Sequence, residues 1–399
     1  MKLTISIPAL NEENAIKSII ERCLATKPKI IEKTPVTEVD IVVISDGSTD
    51  RTVEYAKSYS EIDVIVFPKN RGYGAAIMGG WEKSQGDLLS FLDADGTCDP
   101  NYFVEMITKM EETGADIVLG SRMGPTSKMP KIRRLGNLIF ATILGVLSKR
   151  KLTDSASGMR IIRKSSLPRI LPLPSGLHFT PAMSARALMD RELIIEEIPM
   201  HYEERIGRSK LSVGKDGLRF LKSIVGTAIY IKPSRITYPV IGAFLLLSLV
   251  LGVYPTQYYI ENRSVLDWMI YRFIFISLLG SIGVSVYCAT TVAEHMIELS
   301  LMRYRDYREK TPLWYSGGIK YFLILGSAVF LLSIPMIWPG LVEYLKTGHI
   351  QPHTMHWSRF IVAGFFIFSF IQFVATAALL KIIYSLNIRQ PFLTRKIGI

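Results

Sequence analysis

The chain has 399 residues, a formal net charge of +12, 49% hydrophobic residues and only 21% charged ones. That balance argues against intrinsic disorder, collagen-like structure and nucleic-acid-binding tails. Three cysteines (Cys23, Cys98, Cys288) lie far apart without CxxC spacing, which speaks against a disulfide framework or a structural zinc site. The positive charge suggests an anionic partner.

The first 120 residues alternate between apolar runs and amphipathic stretches. LTISIP (3–8) reads as a strand, and Asn11 is placed to cap a helix through Ala15, Ile16, Ile19, Ile20 and Leu24. DIVVIS (40–45) follows, then a helix capped by Asp50, the strand DVIVF (63–67) and a helix from Gly74 to Ser84. DLLSFL (87–92), a helix after Pro100 and ADIVLG (115–120) complete the series. Continuous apolar strands between such helices predict a mostly parallel α/β sheet covered on both faces. Ligands of such sheets bind beyond the strand carboxyl ends, which selects Pro8–Glu13, Ser45–Asp50, Lys69–Gly74 and Asp93–Asp99.

Asp93-Ala94-Asp95 stands directly after the strand DLLSFL. Residues two apart in extended chain share a side, so both carboxylates can meet one hard cation, Mg²⁺ or Mn²⁺, whose remaining positions take water and phosphate. A strand-ending turn at Asp95-Gly96 is the plain alternative. Asp46, in SDGSTD, is a further acid at the same edge. Lys69-Asn70-Arg71-Gly72-Tyr73-Gly74 resembles a phosphate cradle but lacks the P-loop ending, and a tight strand-to-helix turn explains its glycines better.

Between Arg122 and Lys164 there are eleven basic residues and one acid, Asp154. Inside that segment LGNLIFATILGVLS (135–148) is too short to span a bilayer and suited to lie in its interface, as is 217–231. A buried core helix is the alternative. RNA binding is disfavoured, because aliphatic rather than aromatic residues interleave the charges. Arg205-Ile206-Gly207-Arg208-Ser209-Lys210-Leu211 makes a donor-rich loop able to hold departing phosphates.

After Arg235 come four uncharged runs, 236–260, 273–293, 321–342 and 360–380. As helices each reaches about 31 Å or more, the thickness of a bilayer core. Tyr254, Tyr258, Tyr259, Trp314, Tyr315 and Trp338 crowd their ends. The expected organisation is a domain over 1–235 followed by spans near 236–258, 271–293, 319–340 and 359–384. Arg219, Lys222, Lys232 and Arg235 precede the first span; Arg303, Arg305, Arg308 and Lys310 fill the second loop; Arg389, Arg395 and Lys396 end the chain. The first outer loop offers Arg263 and the second Lys346, so both termini are expected in the cytoplasm. The N-terminal residues do not read as a signal peptide, since Pro8 follows five apolar-rich residues.

IPALNEEN, ISDGSTD, NRGYGAA, the DAD, GSR at 120–122, DSASGMR at 154–160 and RIGRSKL occur in one order. Together they resemble the family 2 glycosyltransferases, and within them the branch holding dolichyl-phosphate mannose synthase and other polyprenyl-phosphate sugar transferases. The resemblance covers about residues 1–235 and implies a Rossmann-like GT-A fold, a nucleotide-sugar donor, a polyprenyl phosphate acceptor, Mg²⁺ or Mn²⁺, and inversion at the sugar carbon. Carried onto this chain, it sets Pro8, Glu12 and Asp46 around the nucleotide. Asp93, Ala94 and Asp95 then meet diphosphate and metal, Arg122 and Arg134 the acceptor phosphate, and Arg205 and Lys210 the donor pyrophosphate. Thr97 stands where the mannose synthases have glutamine, and Leu10 where a tyrosine is frequent, so the donor stays open between GDP-mannose and UDP-glucose types. A processive polysaccharide synthase is one rival, though its QxxRW motif is missing from the sequence. A non-catalytic membrane protein that senses nucleotide sugars is the other, and the intact DAD and RIGRSKL speak against it.

Overall fold

The computed structural model describes residues 1–399 except 126, 191, 208, 209, 211, 263, 302–312, 351–355 and 398–399. Arg208, Ser209 and Leu211 of the RIGRSKL loop therefore lie outside the described residues, as do Arg263 and the basic group Arg303, Arg305, Arg308 and Lys310. The chain divides into two compact units, Met1–Ile231 and Lys232–Ile399.

The first unit opens with β1 (Lys2–Ala9), α1 (Ile16–Lys33), β2 (Glu38–Asp46), α2 (Thr52–Lys57), β3 (Asp63–Phe67) and α3 (Tyr73–Lys83). It continues through β4 (Leu88–Leu92), α4 (Tyr102–Thr113), β5 (Ile117–Ser121), α5 (Lys131–Ser148), β6 (Met159–Arg163) and α6 (Leu167–Ile170). α7 (Phe179–Met189), β7 (Ile195–Pro199) and α8 (Val213–Ile231) complete it. The seven strands form one sheet in the order β3-β2-β1-β4-β6-β5-β7. Every pairing is parallel except those of β6, which runs antiparallel to both β4 and β5. The mostly parallel sheet agrees with the sequence expectation, and β6 and β7 extend it beyond the five strands foreseen.

The sheet's two faces carry separate apolar layers. Ile5, Ile7, Val43, Leu92, Phe103 and Met106 belong to one, packed under α1 and α4. The other gathers Trp81, Phe91 and Phe179 with Ile117, Leu119 and Ile162. Within it Tyr73, Trp81, Phe91 and Phe179 form a ring cluster with centroids 5.9–6.5 Å apart and largely edge-on geometry. The Trp81 indole donates to the Ser90 carbonyl, so its one polar atom is satisfied inside the core.

The chain lays β1, β2 and β3 outward in succession and then crosses back to place β4 beside β1. The carboxyl ends of β1 and β4 are thus the topological switch point, where open α/β sheets form their ligand crevice.

The second unit holds α9 (Ser234–Asn262), α10 (Ile270–Leu301), α11 (Leu313–Thr347) and α12 (Trp357–Ile397). Each contains a segment long and apolar enough to cross a membrane. A helix satisfies its own backbone groups, which is what hydrocarbon demands. The most extensive packing pairs α11 with α12, α10 with α12 and α9 with α10. Cys288, Phe322, Phe373, Ala377 and Leu380 make its small buried centre.

Candidate active site

Two loops at the ends of β1 and β2 are laced together by polar contacts. The Asn11 N–H donates to Ser48 Oγ at 3.1 Å, that of Glu12 to Thr52 Oγ1 at 2.8 Å and that of Glu13 to Asp50 Oδ2 at 3.1 Å. Asn11 is not the helix cap that its position suggested. It takes a left-handed backbone (φ 49°), its amide oxygen accepts from the Thr49 N–H, and α1 starts five residues later at Ile16. Asp50 accepts from the N–H of Thr52, the first residue of α2, but the cap position itself falls on Arg51, one residue later than expected, and carries no side-chain cap bond. The effect is to fix Glu12 at the mouth of the crevice.

Asp46 ends β2 and is 3% exposed. Its two oxygens accept from the N–H groups of Arg71 (2.6 Å) and Gly72 (2.9 Å). Those amides of the KNRGYG segment therefore face a carboxylate, and the segment is a tight turn rather than an open phosphate cradle. Gly72 has φ 107°, and a side chain there would strike the Ser175 carbonyl.

Asp93 is half-buried against the backbone of Gly158 and accepts from the Tyr73 hydroxyl at 2.6 Å. Burial, reinforced by the neighbouring Asp95 charge, pushes its pKa up to about 7, while the Tyr73 hydrogen bond works the other way. A Cβ on Gly158 would collide with this carboxylate. Gly158→Ala is therefore expected to displace Asp93 and to cost about 1–3 kcal/mol of stability, readable as a fall in the thermal midpoint.

Asp95 faces two ways. Its Oδ1 accepts from the Thr97 N–H (3.2 Å) and hydroxyl (2.6 Å), and its Oδ2 pairs with Arg205 Nη1 at 3.0 Å. Thr97 is buried and closes this turn; it does not line the crevice. The other arm of Arg205, Nη2, reaches Glu12 Oε1 at 2.8 Å, and Lys210 Nζ reaches the same oxygen at 2.7 Å while also donating to the Leu10 carbonyl. The 203–206 backbone runs alongside: the Glu203 N–H donates to Thr97 O and the Ile206 N–H to Asp95 O.

Arg122, at the end of β5, is held by Asp154 through Nε (2.7 Å) and Nη2 (2.9 Å). Burial opposes the charge on each, yet their mutual attraction prevails, holding the Asp154 carboxyl below and the Arg122 guanidinium above their usual ranges. Arg134 turns away from the crevice and donates to the carbonyls of Met123 and Gly124. Its neighbour Arg133 lines the crevice instead, along with Ile132, Gly136, Asn137 and Phe140 of α5. From α8 come Gly217, Arg219 and Phe220, with the Phe140 and Phe220 rings 5.8 Å apart.

The ends of β1, β2, β4 and β5 and the helices α5 and α8 border one cavity of about 470 Å³. It brings together Pro8, Glu12, Asp46, Asp93, Ala94, Asp95, Arg122, Arg205 and Lys210, and it leaves out Arg134. Tyr73, Arg133, Phe140, Arg219 and Phe220 also line it and were not singled out from the sequence. The period-four stripe Ile132–Gly136–Phe140 was the available signal for α5, and Tyr73 sat within an already noted motif.

The donor set suits a hard divalent cation. Asp93 and Asp95 present oxygens, and the guanidinium on Asp95 marks the place as one that stabilises positive charge. Among the described residues no group of three or more His, Cys, Asp or Glu forms a complete metal shell. A cation held here would complete its coordination with water and phosphate oxygens.

A family model described as glycosyl transferase family 2 matches residues 4–171, which carry β1–β6 and most of the acids above. The chain carries a family 2 glycosyltransferase domain. Several curated proteins match just over half of the chain. The low-salt glycan biosynthesis hexosyltransferase Agl6 of Haloferax volcanii is 29% identical, over 57% of this chain and 54% of its own length. The dolichyl-phosphate beta-glucosyltransferase of Saccharomyces cerevisiae is 26% identical, over 56% of this chain and 73% of its own. The dodecaprenyl-phosphate galacturonate synthase of Rhizobium johnstonii is 23% identical, over 54% and 63%. The chain thus spans about half the length of Agl6 and rather more of the other two. Among solved structures, glucosyl-3-phosphoglycerate synthase from Mycobacterium tuberculosis with Mn²⁺, UDP-glucose and phosphoglyceric acid aligns with a TM-score of 0.45 and 20% identity, covering 57% of this chain and 79% of that one. The matched residues lie within the first compact unit, and the four apolar helices lie beyond them.

Proposed function

We propose that this family 2 glycosyltransferase moves a hexose from a nucleotide sugar to a polyprenyl monophosphate, with inversion at the sugar carbon. The observation that carries the reading is the single cavity in which the acids Asp46, Asp93 and Asp95 share walls with arginines and the apolar residues of α5 and α8. A nucleotide sugar needs the first set, and a phosphate joined to an isoprenoid needs the second. Relatives named for dolichyl phosphate, undecaprenyl phosphate and dodecaprenyl phosphate favour that acceptor class. Several of them are named for glucose, so UDP-glucose ranks ahead of GDP-mannose as donor.

The chemistry needs no protein base. A phosphate monoester has a second pKa of about 6, so near pH 7 its oxygen is already largely ionised. That oxygen attacks the anomeric carbon while the bond from carbon to the β-phosphate oxygen breaks, and the nucleoside diphosphate departs with the electron pair. A divalent cation bound at Asp93 and Asp95 would supply Lewis-acid stabilisation of the leaving diphosphate. Arg205 and Lys210 stand beside the same acids and can add donors to it. Arg122, Arg133 and Arg219 are cations on the cavity wall that an acceptor phosphate could meet. Arg122 is paired with Asp154 and Arg219 with Asp216 at 3.0 Å, so a phosphate there would share these guanidinium groups with a carboxylate.

Arg133→Ala and Arg219→Ala are each expected to raise the KM for lipid phosphate about tenfold, the loss of one charge-assisted hydrogen bond, with donor affinity unchanged. Arg134→Ala is expected to act less on that KM, since its guanidinium ties the 123–124 backbone. A titration of acceptor against each variant decides between them.

The exposed apolar residues of α5 and α8, among them Leu135, Leu138, Val146 and Leu218, suit a bilayer interface. With the basic residues flanking the spans, they favour catalysis at the cytoplasmic face. The test is a donor screen: purified protein, Mg²⁺ or Mn²⁺, and nucleoside diphosphate release with and without a polyprenyl phosphate. Lipid-dependent release from one donor supports the reading. Binding of nucleotide sugars without release from any donor would overturn it in favour of sensing.

A further inference from the structure

We propose that Arg205 is a resident counter-ion of the donor site, and that the divalent cation and the nucleoside diphosphate enter by exchange with it. The inference rests on the nucleotide-sugar reading and adds how the site is regulated.

The geometry is specific to one oxygen. Asp95 Oδ1 is occupied by the Thr97 N–H and hydroxyl, which leaves Oδ2 as the oxygen open to a cation. Arg205 Nη1 sits on that oxygen at 3.0 Å. Nη2 of the same guanidinium is 2.8 Å from Glu12, so Arg205 joins two acids carried by the loops after β4 and β1. Its Nε is buried without a partner among the described residues. A fork with a buried donor left unused is poorly satisfied where it stands, and an incoming anion could recruit that donor.

Two consequences follow from charge alone. A divalent ion entering by itself must displace the guanidinium from Asp95 Oδ2 and offers it no new partner, so the ion gains little. An ion that arrives with a diphosphate brings oxygens to which the freed guanidinium can move. Lys210, on the same Glu12 oxygen at 2.7 Å, remains as the neutralising charge there. Cation and nucleotide therefore favour each other, and by linkage each raises the other's affinity by the same factor. With neither present the acids are kept paired, so no pair of adjacent bare carboxylates is left in the crevice.

The experiment is Mn²⁺ binding to the full-length protein, followed by the electron paramagnetic resonance signal of free Mn²⁺, with and without UDP or GDP. For the nucleotide-free protein, Arg205→Ala and Arg205→Gln are expected to bind Mn²⁺ at least about tenfold more tightly than the native chain. Arg205→Lys, which keeps a cation at the place, is expected to stay near native. Added nucleotide should tighten Mn²⁺ binding strongly in the native chain and much less in Arg205→Ala. Equal nucleotide-free affinities in native, Ala and Gln forms would overturn the exchange, as would tight Mn²⁺ binding by the native chain alone. Failure of the native chain to bind either nucleotide at saturating Mn²⁺ is a different result, and it would overturn the donor assignment itself.

Discussion

Asp95→Asn is expected to lower sugar transfer by about 10³-fold or more while leaving the fold intact. The substitution keeps an oxygen for the Thr97 N–H and hydroxyl, so the turn after β4 survives. It removes the negative charge that Arg205 now neutralises and that a divalent ion would use. Asp95→Ala should lose at least as much activity, with some loss of order in the 95–97 turn. The measurement is nucleoside diphosphate release per enzyme, set beside the thermal midpoint of each variant. Turnover within a few-fold of native in either would sink the assignment of Asp95 to cation and diphosphate.

The second large effect is on stability. Asp154→Ala is expected to destabilise the first unit by about 3 kcal/mol, because it leaves the Arg122 guanidinium, only 13% exposed, without its carboxylate. The pair is desolvated on the Asp154 side, which is 0% exposed, and closed by two hydrogen bonds of 2.7 and 2.9 Å. Replacing both partners, as Arg122→Met with Asp154→Leu, should recover most of that stability and none of the lost acceptor use. Denaturant unfolding of single and double variants separates the two roles. The sign of the pH dependence follows from the depressed Asp154 carboxyl. Its contribution is fully present above the unfolded value of about 4 and is lost as pH falls through the lower, folded value. Recovery of activity in the double variant would deny Arg122 any part in binding the acceptor.

The sequence made β1 to β5 legible because each is a continuous apolar run bounded by turn residues. β6 and β7 were hidden for a physical reason. β6 is MRIIR and β7 is IEEIP, and charged residues in a five-residue run erase the hydropathy signal. Arg160 within β6 is fully buried, held by the carbonyls of Ser155 and Ser157, with burial pulling its pKa down to about 10. No periodicity announces a buried arginine. The acids of the site were readable because strand ends at a switch point present few candidates. Choosing between Arg133 and Arg134 was not possible, since neighbours on a helix point about 100° apart and the phase is fixed only once α5 is seen to begin at Lys131. Asn11 misled for a related reason: its side chain satisfies a neighbouring loop, and a helix-capping residue has the same chemistry.

The ring cluster beside the site also gives the protein an optical handle. Of the five tryptophans, Trp81 alone belongs to the first unit; Trp268, Trp314, Trp338 and Trp357 all follow Lys232. Trp81 packs against Phe91 and Phe179 with tilted rings, and those two rings also meet Tyr73, the residue hydrogen-bonded to Asp93. Substituting the four later tryptophans by phenylalanine would leave one emitter, one ring removed from the tyrosine whose hydroxyl donates to Asp93. Its emission would then follow events at Asp93 in real time, without a label and without turnover.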